Sequence, residues 1–421
     1  MIVMVQVFVL LFSYLPWILL EFRIKSPFLV LPLMSMFIVF PSHSVNLVFG
    51  EYLDETYILS TIYISVFNIV MFILRFFASN FVKINFSWDE LRNEIVAAST
   101  RQFSGIKVTY TLLFLLSISL SLYAATGTFN IFYAANASWW DFVDANPVYK
   151  LPSLYITYFL SSLPIVIIFR KDKWLLFIVV LQILYFVLIL RTRGAVFSFL
   201  MPIFIYIILT KIKNFRSSFS IVFIGLLLVI LYFGTREIRL SGGIVNFVQS
   251  PPEVEAVFER NVLKGGEFEL IRGLYHAFSE PAHTSFFQGN NLLRSIMLPL
   301  PSSLTFGIKP HEFTYDVWDF YKGTSIKGGQ SFHPTVYGIA YMDMYWFSLV
   351  FYPAFLVIYM SILEKIFLLT NSYFRIHILS LMVISGMIIA RGSFYNGLAF
   401  SFWPLMFTLV FMFLFKRKRF V

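Results

Sequence analysis

Cysteine is absent from the 421 residues, which excludes disulfides, thiolate metal ligands and a cysteine nucleophile. Charge is scarce as well. Asp, Glu, Lys and Arg make up 13% of the chain and hydrophobic residues 59%, against roughly 25% and 45–50% in soluble domains. Such a composition excludes a soluble globular domain, a coiled coil, a collagen and a disordered chain. No P-loop, H-E-x-x-H or G-x-S-x-G segment occurs, and no His or carboxylate cluster has metal spacing. ATP-driven transport and metalloprotease activity are therefore disfavoured, and neither a metal nor a cofactor is expected. Internal repeats are missing, and so are low-complexity tracts other than the apolar runs. What is abundant is apolar bulk, including 52 Phe.

A hydrocarbon core about 30 Å thick takes about 20 apolar residues per helix. Runs of that kind fall near 1–20, 27–48, 57–76, 107–125, 152–170, 173–191, 194–211, 217–234, 334–362, 375–392 and 396–415. They predict an all-α integral membrane protein with about 11 transmembrane helices. The runs are too long for barrel strands and lack their alternation. The first run has no basic leader and no small-residue cleavage site, so it reads as a span and not as a signal peptide. The expected organisation is about eight helices over 1–234, one large loop over 235–333 and about three helices over 334–421.

Net charge is +10, a value that invites a nucleic-acid partner. The distribution of Lys and Arg argues otherwise. Placing Lys416-Arg417-Lys418-Arg419 in the cytoplasm and alternating backward puts about 19 of the 32 basic residues on that side. About 6 acidic residues accompany them, so the excess is topogenic and no nucleic acid is expected. The N-terminus is then outside and the C-terminus inside. A cytoplasmic segment over 77–106 carries Ser87 and Glu90 at capping-box spacing. It reads equally well as an amphipathic interfacial helix or as a solvated connector. The outside loop over 235–333 is too long to lack a function. Helix-like stretches occupy Glu253–Lys264 and Glu267–Phe278, and prolines follow at 281, 299, 301 and 310.

Polar chemistry concentrates in and beside that loop. It holds or borders four of the six histidines: His276, His283, His311 and His333. Arg191, Arg193, Arg236, Arg239 and Arg391 lie at outside helix ends, against the positive-inside preference. Guanidinium groups hold phosphate through a bidentate fork, so together they suit a lipid diphosphate. Any one of them also suits snorkelling to ordinary phospholipid. His333 opens the ninth span and is a candidate proton acceptor. Asp343, about ten residues into that span, is either a working carboxylate or a structural partner within the membrane. Glu269, Arg272 and His276 have the spacing of one helix face, which suits general-base chemistry or a surface salt-bridge ladder. Lys309, in Gly307-Ile308-Lys309-Pro310, is a further phosphate candidate. Trp139 and Trp140 suit a sugar ring or an interfacial belt.

These features resemble the Wzy-type oligosaccharide repeat-unit polymerases, the O-antigen polymerases of bacterial envelopes. The resemblance rests on Arg191-Thr192-Arg193-Gly194, on Arg236 and Arg239 at the mouth of the loop, and on Leu298-Pro299-Leu300-Pro301 through Lys309-Pro310. Gly328-Gly329 through Tyr341-Met342-Asp343, and Ala390-Arg391-Gly392-Ser393, complete it. It covers the topology of the whole chain, and its motifs cover about 190–400. It implies a GT-C-like polymerase or ligase architecture in the bacterial inner membrane, with the large loop in the periplasm. It also implies undecaprenyl-diphosphate-linked oligosaccharides as donor and acceptor, and a flippase and a chain-length regulator as partners. A sugar hydroxyl of the acceptor would displace the lipid diphosphate of the donor. In the related O-antigen ligases an essential His follows the loop, and His333 is its positional match. Ligation onto lipid A core and lipid-linked oligosaccharide transport are the competing functions.

Overall fold

A computed structural model of the chain describes residues 2–50, 52–81, 103–132, 141, 146–160, 173–191, 196, 200–206, 208, 225–226, 230, 234–258, 269–279, 288–300, 304–311, 316–317, 321, 333–370 and 372–417. All regular structure among them is helical, with no strand. The stretches Val3–Arg23, Pro27–Val48, Asp54–Asn80 and Thr335–Leu369 are long and apolar enough to cross a membrane. Shorter apolar helices cover Tyr110–Thr126, Leu176–Leu190 and His377–Ala390. The chain divides into two compact units. The first comprises Met1–Ile84, Glu259–Ile366 and Ser385–Ala399; the second comprises Asn85–Phe258, Phe367–Ile384 and Phe400–Val421.

The first unit is built on α1 (Ile2–Arg23), α2 (Val30–Phe49) and α3 (Asp54–Phe81). Short connections make α2 antiparallel to both neighbours, so α1 and α3 run in the same direction. Their register is fixed by polar pairs at nearly constant offset. Thr61 donates to Gln6 Oε1 at 3.2 Å, Asn68 donates to Ser13 Oγ at 3.0 Å, and Arg75 Nε donates to Glu21 Oε1 at 2.8 Å. Leu10, Tyr14 and Trp17 fill the same seam and are fully buried. Spacing of about seven residues returns each side chain to one face of a helix, and in an apolar bundle hydrogen bonds and close packing hold helices together.

Glu364 joins the bottom of this seam. Arg75 Nη2 bonds Glu364 Oε1, and Ser26 Oγ donates to the same oxygen at 2.6 Å. Glu364 belongs to α12 (Ser348–Leu369), which follows α11 (Thr335–Met344) after a 3-10 turn over Tyr345–Phe347. Of the intervening elements, α9 (Arg272–Ser279) packs on both α3 and α11, and α10 (Asn290–Ile296) meets α11. The expected ninth span, 334–362, is thus two helices. Tyr337 pairs with Asn68 at 2.7 Å, and Tyr341 stacks edge-on against Tyr63 at 5.3 Å. Ser348 then bonds Tyr63 at 2.6 Å, and Glu364 reaches Arg75. So α11 runs antiparallel to α3 and α12 runs parallel to it. The reversal is made by Tyr345, at φ 51° and ψ −137°, a conformation that non-glycine residues rarely adopt.

Two further helices, α13 (Ser372–Ala390) and α14 (Phe394–Arg417), are joined by a tight turn at Arg391-Gly392-Ser393. Gly392 has φ +94°, and a Cβ there would lie 2.6 Å from the backbone N and O of Thr335. Glycine is required on both counts.

In the second unit α4 (Phe103–Thr126) packs on α5 (Pro147–Leu160) through hydroxyls. Ser117 Oγ lies 2.8 Å from Thr157 Oγ1, and Ser153 Oγ donates to the Ser117 carbonyl at 2.8 Å. Small polar residues let apolar helices approach closely. Helix α6 (Lys173–Leu184) widens into a π-turn over Tyr185–Leu190 and stops at Arg191, which is left-handed at φ 50°. Two short helices also belong to this unit, α7 (Ile244–Gln249) and α8 (Val254–Phe258). Expected spans near 1–20, 27–48, 57–76, 107–125, 375–392 and 396–415 fall on α1 to α4, α13 and α14. Half of 194–211, most of 217–234 and most of the 77–106 segment lie outside the described residues. Of the expected helix Glu253–Lys264, Val254–Phe258 is described and helical.

Arg75→Met should leave two carboxylates buried without their cation. Removing one partner of a buried ion pair costs about 3–5 kcal/mol. Thermal unfolding in detergent, followed by size-exclusion chromatography, should therefore collapse, while Arg75→Lys retains part of the transition. Gly392→Ala should also melt earlier, by the equivalent of about 1–3 kcal/mol. Wild-type melting of Gly392→Ala would refute the close approach to Thr335.

Candidate functional site

Polar side chains of the first unit gather around α9. Its helix begins at Arg272, so Glu269 lies in the turn before it and not on the helical face expected from spacing. Tyr321 restores the grouping. Its hydroxyl donates to Glu269 Oε1 at 3.4 Å, interacts with Arg272, and its ring meets the His276 ring edge-on at 5.8 Å. Burial first, and then the Glu269 carboxylate, push the Tyr321 phenol well above its ordinary range. It stays protonated and acts as a donor. Glu269, Arg272, His276 and Tyr321 are all half-buried, so they form a surface that solvent reaches.

Beneath this surface lies a buried layer. Tyr275, one residue before His276, stacks edge-on against Tyr57 at 5.0 Å and Tyr52 at 5.5 Å. Its hydroxyl oxygen lies 2.6 Å from His43 Nδ1, and His43 Nε2 lies 2.8 Å from Thr61 Oγ1. The Thr61 proton goes to the Tyr57 carbonyl at 2.8 Å or to Gln6. His43 Nε2 must then be the donor to Thr61, which leaves Nδ1 to accept from Tyr275. Burial holds the Tyr275 phenol well above its ordinary range, in keeping with a donating hydroxyl. The chain Tyr275–His43–Thr61–Gln6 thus ties α9 to α2, α3 and α1.

His333 and Arg391 are brought together through backbone. Thr335 N donates to the carbonyls of His333 at 2.9 Å and Arg391 at 3.2 Å. Both side chains are half-buried. Asp343 is committed elsewhere. Its Oδ1 accepts from Asn291 N at 3.0 Å, and its Oδ2 accepts from Leu292 N at 3.0 Å and Tyr352 Oη at 2.9 Å. It caps the first turn of α10, and three donors on a side chain 1% exposed make it an anchor for that helix.

Lys309 Nζ donates to the Leu300 carbonyl at 2.7 Å and lies 5.7 Å from the Tyr395 ring centroid. Burial, then the neighbouring Arg294 guanidinium, hold its ammonium below the usual lysine range. In the second unit, Arg191 Nη1 donates to the Gly242 carbonyl at 3.2 Å. Gly242 follows the helical stretch over 234–240 that carries Arg236 and Arg239, so these three arginines converge on one segment. Arg193, Trp139 and Trp140 lie outside the described residues. Among the described residues no three His, Asp or Glu side chains converge as a metal ion requires.

Several participants escape a reading of the sequence alone. His43, Tyr275 and Tyr321 lack motif spacing, and Glu21, Arg75 and Glu364 stand singly in separate runs. The available signal was weak: a polar Ser42-His43-Ser44 inside an apolar span, and lone charges within spans or at their ends. No family model, no curated protein and no solved structure matches the chain.

Tyr275→Phe should leave His43 Nδ1 buried without its donor, at about 1–3 kcal/mol. Tyr321→Phe removes only a half-exposed hydroxyl. The first variant should melt earlier and the second close to wild type. Equal melting of both would mean that the buried chain does not hold α9.

Proposed function

We propose that the chain polymerises undecaprenyl-diphosphate-linked oligosaccharide repeat units into O-antigen or a related surface polysaccharide. It does so at the periplasmic face of the bacterial inner membrane. On this reading it has about 11 spans and a periplasmic loop over 235–333. Donor and acceptor are lipid-linked glycans within membrane lipid, and a flippase and a chain-length regulator are its partners. The observation that carries the proposal is the half-buried group Glu269, Arg272, His276 and Tyr321, held over the buried Tyr275–His43 chain.

The reaction is substitution at an anomeric carbon. An acceptor hydroxyl oxygen forms the new bond to that carbon, and the bond to the donor diphosphate breaks. The hydroxyl proton passes to Glu269 or His276, which act as base. Arg272 offers fixed positive charge to the departing diphosphate, where preorganised donors are worth most. His333 and Arg391 offer a second base and cation, at the junction of α11 with the turn between α13 and α14. In the second unit Arg191, Arg236 and Arg239 supply a further cationic segment, and Arg193, Trp139 and Trp140 remain phosphate and sugar candidates from spacing. Diphosphate leaves readily, so no metal or nucleotide is demanded.

A second reading is transport of a lipid-linked oligosaccharide. The reversal between α11 and α12 favours it, because transporters use discontinuous helices. The two readings diverge in purified membranes given lipid-linked repeat units on one side only. A polymerase lengthens the glycan, whereas a transporter moves it unchanged.

Deleting the gene should leave surface glycan capped by single repeat units, and long ladders that persist would sink the polymerase reading. Glu269→Gln and Arg272→Ala should each lower polymer yield by about 10²-fold or more at unchanged protein level. A reporter fused after residue 280 should be active only outside the cytoplasm; a cytoplasmic signal would overturn the topology.

A further inference from the structure

Arg294 and Lys309 share one aromatic ring. Arg294 Cζ lies 4.4 Å from the Tyr395 centroid and Lys309 Nζ lies 5.7 Å from it. The ring attracts each cation, but the cations repel one another. Among the described residues neither has a carboxylate partner. Arg294 Nη1 donates to the Pro310 carbonyl at 2.5 Å, and Lys309 Nζ donates to Leu300. Arg294 Nε is shielded from solvent and, among the described residues, bonds no atom. Of five guanidinium and three ammonium protons, most have no partner among the described residues. The carbonyls fix the two heads in place without neutralising them.

The loop that carries Lys309 has an unusual surface. Leu304, Phe306 and Ile308 are 64%, 94% and 67% exposed, and Leu300 is half-exposed. Phe306 and Gly307 both have positive φ, which turns the chain so that Lys309 returns to Leu300. Apolar side chains facing outward beside a pair of cations match the membrane interface. There the apolar groups enter the acyl boundary and the cations stay at phosphate level.

We propose that Arg294, Lys309 and Tyr395 form a clamp for a phosphorylated lipid headgroup, with Leu304, Phe306 and Ile308 seated in the acyl boundary. The guanidinium supplies a planar fork, the ammonium a point charge, and one ring faces both. The apolar rim distinguishes a lipid from a soluble phosphate. The clamp stands apart from glycan transfer, because a phosphorylated lipid is held here whatever reaction the chain performs.

The test uses the full chain purified in detergent, with three probes: dioctanoyl phosphatidic acid, dioctanoylglycerol and inorganic pyrophosphate. Phosphatidic acid should bind, and Lys309→Gln and Arg294→Gln should each weaken it by about tenfold. Dioctanoylglycerol, with the same tails and no phosphate, should bind at least as weakly as phosphatidic acid binds the variants. Pyrophosphate held as tightly as phosphatidic acid would overturn the lipid assignment. Undiminished binding of phosphatidic acid by Lys309→Gln, whose side chain is the more solvent-facing, would overturn the clamp itself.

Discussion

The register of α1 against α3 is the constraint on which the first unit depends. Apolar surface alone does not set it, because one Phe- or Leu-lined face slides past another at little cost in an apolar surrounding. The pairs Gln6–Thr61, Ser13–Asn68 and Glu21–Arg75 do set it. A shift of a single residue breaks all three, and each orphaned polar group then costs about 1–3 kcal/mol. Arg75 carries the heaviest share. It bonds Glu21 and Glu364 together, and all three side chains are at most 1% exposed. Such a group is costly to desolvate and contributes little net stability, but its geometry admits one arrangement of the helices.

From Arg75 the placement of the other elements follows in sequence. Glu364 fixes the lower part of α12, and Ser348 on Tyr63 fixes its start. The reversal at Tyr345 then directs α11 back along α3, and Tyr337 on Asn68 sets its depth. Asn68 is near the midpoint of α3, so the backbone at His333–Thr335 lies opposite mid-helix. Irregular backbone at such a level has to be covered by protein. Gly392 provides that cover, its missing Cβ allowing the turn after α13 to close on Thr335. His333 and Arg391 meet as a consequence of this packing. Asp343 contributes from the other end of α11 by capping α10, whose Arg294 reaches Tyr395.

What the sequence disclosed and what it hid divide along physical lines. The ends of α1 to α4 agree with the apolar runs to within a few residues, because hydropathy is local and the runs are bounded by charge. Pairing was invisible. Glu21, Arg75 and Glu364 are separated by 54 and 289 positions, and no periodicity links them. The break at Tyr345 sits in Met342-Asp343-Met344-Tyr345-Trp346-Phe347, which contains neither Gly nor Pro. It is imposed by tertiary contacts at Asp343 and Ser348. Of the expected group on α9, Arg272 and His276 share a helix as their spacing implies. Glu269 reaches them through Tyr321, a residue 52 positions away that spacing has no means to nominate.

The contrast between the two charged groups of the first unit bears on what it does. Glu21, Arg75 and Glu364 are sealed among Trp17, Ser26 and apolar side chains. A group that moves an ion or a proton across a membrane must at some stage meet water, and these side chains meet none. Glu269, Arg272, His276 and Tyr321 are partly open, and the layer beneath them is rigid: Tyr275, Tyr57 and Tyr52 in edge-on contact, closed by His43. The proposed chemistry at an anomeric carbon would use this combination of accessible acid, base and cation on a fixed support. The buried ions therefore weigh as architecture, and the half-buried group is the one a solute can reach. On the proposed reading, that division weighs for group transfer over passage through the bundle.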